Sequence, residues 1–349
     1  MSDNGTEKPP PNDGALDSQP TVGRRRPTGR RLLLFRAMAI SLVVLVAVVA
    51  LSLVPWLRRT LFPIYLQEPG HEFTGHRYLY DAQLGWRNIP GWESMTMGKP
   101  LTINSKGLRD REYEWEKPPG TKRILVLGDS FAWGYGVADS EIFTEVLERE
   151  LAGGELSWQV INSGVSGWGT DQEYLFLNSE GFRYSPDIVI LAFFCVNDPK
   201  NNGHWEQYGL RKPVFRSTDL DLANVPVPKP GESSVDIATT ESPVDVTLAI
   251  IRRMADECES RGVLLVVLKF GLFLMPGNPD MLYISQRLTD LGEAHAGITY
   301  LDWDAWFDTQ PATTLDILYG NDDGHWNALG HELTGRMLAE ILRQQQMPD

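Results

Sequence analysis

Arg123-Ile124-Leu125-Val126-Leu127-Gly128-Asp129-Ser130 is the stretch on which the reading of this chain turns. Its apolar run is short and rich in branched side chains, which predicts a buried strand. The serine stands just past the strand's end, where open α/β sheets place their ligands. The next residues, Phe131-Ala132-Trp133-Gly134-Tyr135-Gly136, are glycine-rich. They predict a tight turn that exposes the Ser130 hydroxyl before any helix begins. Taken alone, Gly-Asp-Ser is a common turn tripeptide, so the rest of the chain has to decide.

Downstream, strands and helices alternate, the pattern of a parallel sheet covered on both faces. A helix is expected from about Glu141 to Leu151, then a strand at Trp158–Ile161. Thr170-Asp171-Gln172-Glu173 has capping-box spacing and opens a helix that ends near Gly181. Ile188 to Cys195 is apolar throughout and reads as a strand buried on both faces. Ser242-Pro243 starts a helix to about Arg261, followed by a strand at Val263–Phe270. A helix near 280–294, a strand at Ile298–Leu301 and a last helix from about Ala328 to Gln345 complete the alternation. Residues 200–240 break it with Pro213, Pro226, Pro228 and Pro230. They read as an insertion in which 213–215 and 220–222 form a small hairpin.

The N-terminal part differs in kind. Residues 1–36 are polar and basic and predict a disordered cytoplasmic tail. Arg24, Arg25, Arg26, Arg30, Arg31 and Arg36 precede an uncharged apolar run, 37–57, closed by Arg58 and Arg59. About 20 apolar residues suffice to span a bilayer as a helix. The arginine excess before the span puts the N-terminus in the cytoplasm and the remainder outside it, periplasmic or extracellular. A cleaved signal peptide is the alternative, but no small-x-small site follows the run. Residues 60–120, with Gly85-Trp86 and Pro90-Gly91-Trp92, predict accessory strands and loops packed on the main domain, 121–349.

Charge excludes one class of partner. The chain carries a formal −14, made of +5 over residues 1–60 and −19 over the rest. Phosphate binding needs Lys and Arg, so nucleic acid is not an expected partner. Two cysteines, Cys195 and Cys258, are too few for a disulfide framework or a cysteine-rich zinc site, and two free thiols are expected. His71 and His76 flank Glu72 on no recognisable helix, and no metal or organic cofactor is expected.

Three further signals fall after predicted strands or just before the last helix. They are Asn162-Ser163-Gly164-Val165-Ser166-Gly167, Val196-Asn197-Asp198 and Asp322-Asp323-Gly324-His325-Trp326-Asn327. In a parallel sheet such loops converge on one edge. They bring together what acyl transfer needs. A serine hydroxyl becomes nucleophilic beside a base. Histidine suits the proton transfer. A carboxylate fixes the imidazole tautomer, and Asp322 precedes His325 by one turn's spacing. The backbone N–H groups of Ser130 and Gly167 and the Asn197 amide are candidate donors to an oxyanion.

These residues resemble the SGNH (GDSL-type) hydrolase family. Gly128-Asp129-Ser130, Gly167, Asn197-Asp198 and Asp322-x-x-His325 match its blocks in order, over about residues 123–345. The resemblance implies a three-layer α/β/α, flavodoxin-like fold. It implies Ser130 as nucleophile, His325 as base and Asp322 as orienter, with Ser130, Gly167 and Asn197 forming the oxyanion hole. Cys195 stands where the third block usually has glycine, and Phe131 where the first usually has leucine. Gly164 rivals Gly167, and Asp323 rivals Asp322. Asn162 reads as a brace for its loop and His331 as a packing or surface residue. Trp133, Trp168 and Trp326 either line the site, where they could stack on sugar rings, or belong to the core. The expected activity is that of a serine esterase on short acyl esters, with carbohydrate as the acyl carrier. An O-acyltransferase of an envelope polysaccharide and a catalytically degenerate glycan-binding module are the alternatives.

Overall fold

The computed structural model describes residues 33, 36–43, 73–74, 78–153, 156–232, 237, 239–274, 277–310 and 324–344. Five strands form the central sheet: β1 (Thr121–Gly128), β2 (Ser157–Asn162), β3 (Ile188–Phe194), β4 (Leu264–Phe270) and β5 (Ile298–Asp302). They lie in the order β2-β1-β3-β4-β5, and every pairing is parallel. This is the flavodoxin-like winding, whose direction reverses between β1 and β3. The connections are helical: α1 (Ser130–Trp133), α2 (Phe143–Leu151), α3 (Thr170–Ser179), α4 (Asp198–Asn202), α5 (Pro243–Glu259), α6 (Pro279–Ala294), α7 (Trp303–Asp308) and α8 (Ala328–Gln344).

Alternation along the strands divides the core in two, because successive side chains point to opposite faces. Leu125, Leu127, Val189, Leu191, Leu265 and Val267 face one side, where α3, α5 and α6 supply Phe176, Ile251 and Leu288. Ile124, Val126, Ile188, Ile190, Val266 and Leu268 face the other, covered by Phe143 and Leu147 of α2, Trp303 of α7 and Leu338 of α8.

The strands and long helices fall within a few residues of the sequence reading, and the hairpin in the insertion is present as Val214–Phe215 against Leu222–Ala223. Thr170 is not a cap: Gly169 holds that position, and Gln172 reaches back to accept its N–H at 3.3 Å. The short helices α4 and α7 have no counterpart in the sequence reading. Cys195 and Cys258 are buried free thiols. Accessory antiparallel pairs run at 78–81 with 85–88 and at 93–96 with 99–102.

The chain divides into units at residues 1–61 and 62–349. In the first, residues 36–43 are helical and exposed. Most of the expected transmembrane segment, 44–57, lies outside the described residues. Among the described residues, no helix is long and apolar enough to cross a membrane.

Candidate active site

A strand that ends in Gly-Asp-Ser was expected to turn before any helix, but α1 begins at Ser130 itself. Asp129 caps it: its Oδ1 accepts the Phe131 N–H at 2.9 Å. Gly134, at φ +85°, ends it after one turn. So short a helix is not stable by itself, and it is held from outside. The buried Arg109 guanidinium donates to the carbonyls of Trp133 (2.9 Å), Gly134 (2.5 Å) and Val137 (2.7 Å). Its Nε donates to Asp139 at 2.9 Å. These donors satisfy carbonyls that a helix end otherwise leaves open.

His325 meets Ser130 across this turn, with Nε2 and Oγ 2.7 Å apart. The imidazole lies against Phe131 and Tyr135, with ring centroids at 4.9 and 4.7 Å. Phe131 in turn packs on Phe194, Phe270 and Trp326. Trp133, Trp168 and Trp326 are each 1% exposed. They are core side chains, so a sugar-stacking role for them is ruled out by burial. His331 is also core: its Nδ1 accepts the Phe143 N–H, and burial pushes its pKa down to about 3. Asp322 and Asp323 lie outside the described residues, as do His71 and His76.

The loop after β2 runs back along β1. Ser163 N–H bonds the Val126 carbonyl at 2.9 Å, and Val165 N–H that of Gly128 at 3.1 Å. Asn162 braces it as expected, donating from Nδ2 to Ala132 O (2.8 Å) and accepting the Gly164 N–H (3.0 Å). That bond separates the rival glycines, because the Gly164 N–H is already used. A Cβ on Gly164 would also sit 2.5 Å from the Trp133 nitrogen. Gly164 is therefore a packing glycine under α1. Gly167 has φ +83°, a left-handed conformation that disfavours side chains, and it lies beside Trp86 and Tyr208.

Residues 84–109 support this loop, and nothing local in their sequence announced it. Trp86 Nε1 donates to Ser166 O, and Trp168 Nε1 to Trp86 O. Asn88 receives Trp133 Nε1 at 3.1 Å and donates to Gly107 O at 3.0 Å.

Beyond β3, Asn197 Nδ2 donates to Asp129 Oδ2 at 2.8 Å. Asp129 thus ties the Ser130 turn to the Asn197 loop across the point where the sheet order reverses, a role its place in Gly-Asp-Ser did not disclose. Cys195 in place of glycine leaves this contact intact. Its backbone N–H bonds Phe270 O, and burial pushes its thiol up to about 12.

Behind Asn197 the interior is acidic. Asp129, Asp171, Glu173 and Asp198 are all fully buried. Asp171 is paired with the buried Lys212, and Asp198 Oδ2 accepts the Phe194 N–H at 3.0 Å. Burial, then the charges of Asp129 and Asp171, hold the Glu173 carboxyl well above the usual range. Burial, then Glu173 and Asp129, do the same for Asp198. A buried carboxyl without a cationic partner favours its protonated form, because desolvation penalises the charge. Among the described residues no cluster of His, Cys, Asp and Glu could hold a metal ion.

A serine and histidine in contact, at the switch point of this sheet, agree with a family match over residues 126–333 to the GDSL-like lipase/acylhydrolase family. The chain belongs to that family. It is an ester-hydrolysing enzyme. Among solved structures it is similar to the lipase/acylhydrolase from Enterococcus faecalis, with 20% identity, 65% of this chain and 98% of that one covered, and a TM-score of 0.44. A psychrotrophic esterase from Pseudoalteromonas is similar at 13% identity, covering 64% and 98%, with a TM-score of 0.42. A two-domain esterase active on acetylated mannans is similar at 14%, covering 66% and 51%, with a TM-score of 0.42. Comparison with curated protein sequences found no match.

Proposed function

We propose that this GDSL-family hydrolase is a serine esterase acting on short acyl esters, acetyl above all, carried by carbohydrate. The observation that carries the mechanism is the 2.7 Å contact between His325 Nε2 and Ser130 Oγ. In this reading His325 takes the hydroxyl proton as Oγ forms a bond to the ester carbonyl carbon. The oxyanion accepts from the N–H groups of Ser130 and Gly167 and from the second Asn197 Nδ2 hydrogen, the first being held by Asp129. Collapse breaks the ester C–O bond, and His325 returns its proton to the departing alcohol. Water then attacks the acyl-enzyme by the same route. Asp322 holds the imidazole tautomer.

The anchor belongs to the same proposal. Residues 37–57 cross the membrane once, with the N-terminus cytoplasmic and the catalytic domain outside. The flanking arginines support this, as do the exposed Met38, Ile40, Leu42 and Val43 on the helical residues 36–43.

The test is hydrolysis of p-nitrophenyl acetate, butyrate and octanoate by the full-length chain and by Ser130→Ala. The expected outcome is turnover best on acetate, with Ser130→Ala lowering kcat at least about 10³-fold. Equal rates for the two proteins would overturn the serine mechanism, and a preference for octanoate would overturn the short-acyl reading.

A further inference from the structure

The insertion places one strained, half-exposed aromatic side chain beside the candidate site. Residues Glu206–Gln207 and Leu210–Arg211 form an antiparallel hairpin, with Gln207 opposite Leu210. The two turn residues both have positive φ, Tyr208 at +52° and Gly209 at +74°. Turns of this kind favour Asn, Asp or Gly at the first position. A bulky L-residue there is strained. Such strain is kept where the side chain has work to do.

The tyrosine is also 52% exposed. Its ring lies against Gly167: a Cβ built there would lie 3.0 and 3.1 Å from Tyr208 Cε2 and Cδ2. The hairpin is firmly seated. The Lys212 N–H bonds Trp205 O at 2.8 Å. The Lys212 ammonium, wholly buried, is paired with Asp171 and donates to the carbonyls of Asn201 (3.1 Å) and Pro213 (3.1 Å). The ring is therefore presented from a fixed base over the glycine of the candidate oxyanion hole.

We propose that Tyr208 is the platform for the sugar ring that carries the ester, and so a specificity-determining residue; this rests on the esterase reading above. A phenol ring offers an apolar face with a polar tip. A pyranose offers the complement, a face of C–H bonds rimmed by hydroxyls. Stacked on Tyr208, the sugar's acyl oxygen is directed toward Gly167 and Ser130. A single half-exposed ring matches one sugar face, whereas a long acyl chain calls for an enclosed apolar channel.

The experiment compares glucose pentaacetate with ethyl acetate, which share the acyl group but differ in whether the alcohol is a ring. It uses the full-length chain, Tyr208→Asn and Tyr208→Phe. Asn suits the turn, so Tyr208→Asn is expected to melt no lower than the parent. Its ratio of kcat/KM on glucose pentaacetate to that on ethyl acetate is expected to fall at least about five-fold, through a rise in KM, since lost binding common to ground and transition states appears there. Tyr208→Phe keeps the face and is expected to keep the ratio. An unchanged ratio in Tyr208→Asn, or an equal fall on both substrates, overturns the platform. Binding of glucose pentaacetate by calorimetry, with Ser130→Ala as the background, decides the same question without turnover. Weaker binding on adding Tyr208→Asn supports the platform, while equal or absent binding overturns it. Failure of the parent to hydrolyse either ester counts against the esterase reading alone.

Discussion

On the His325 side of Ser130 the supports are rings. Phe131, Tyr135, Phe194, Phe270 and Trp326 contact one another or the imidazole, with centroids 4.5 to 5.4 Å apart among Phe131, His325, Phe194, Phe270 and Trp326. On the Asn197 side the supports are hydrogen bonds and charge, through Asp129, Asp171, Lys212, Asp198 and Glu173. In the proposed mechanism the difference follows from what each side has to hold. An imidazole that shuttles a proton needs fixed position with little competing polarity, which dispersion and ring packing provide. An amide that must point at a developing oxyanion needs fixed direction, and a hydrogen bond supplies direction where packing does not.

Three substitutions sharpen or break this contrast. The largest effect is expected for Trp326→Ala, at the centre of the aromatic side. Removing a buried tryptophan typically costs about 3–5 kcal/mol, readable by urea unfolding. A loss below about 1 kcal/mol would mean that the rings do not hold that flank together. Next is Asn197→Ala, expected to lower kcat about 10²–10³-fold while stability changes by only about 1–3 kcal/mol, from Asp129 Oδ2 left without its donor. A fall in kcat under about ten-fold would leave the polar side structural only.

The smallest and most specific effect concerns Glu173→Gln. The folded pKa of Glu173 is raised by burial, then by Asp129 and Asp171, while in the unfolded chain it titrates near about 4.3. Between those values the native state keeps a proton that the unfolded state has released. Stability therefore falls as pH rises through that window, by about 1.4 kcal/mol per pH unit for one proton, and levels off above the folded pKa. Glutamine has no proton to lose, so the Tm of Glu173→Gln is expected to gain on the parent as pH rises above the unfolded value. Parallel curves would remove Glu173 from the charge balance of the polar side.

Much of this contrast was hidden in the sequence, for reasons specific to each part. The strand Thr121–Gly128 and its parallel partners were legible because branched apolar runs have few alternatives to burial. The meeting of Ser130 with His325, and the places of Gly167 and Asn197 after strands, were legible because their blocks fall after strands or before the last helix. The helix at Ser130 was not, because its glycines suggested turn and the stabilising groups, Asp129 and Arg109, act through contacts that spacing does not reveal. The tryptophans were equally ambiguous: indole rings in motif loops look the same on paper whether they meet a ligand or one another. Trp86 and Asn88 carried no signal, since their bonds to Ser166, Gly107 and Trp133 join segments far apart in the chain.

The Arg109 guanidinium bears on how relatives of this protein are compared. The family match spans residues 126–333, so the arginine that closes the Ser130 helix lies upstream of everything by which the family is recognised. Ancestry is legible in one length of chain, and the working geometry depends on a longer one. Two enzymes can share every motif and still hold their serines by unrelated means, with the divergence written where motif searches do not look.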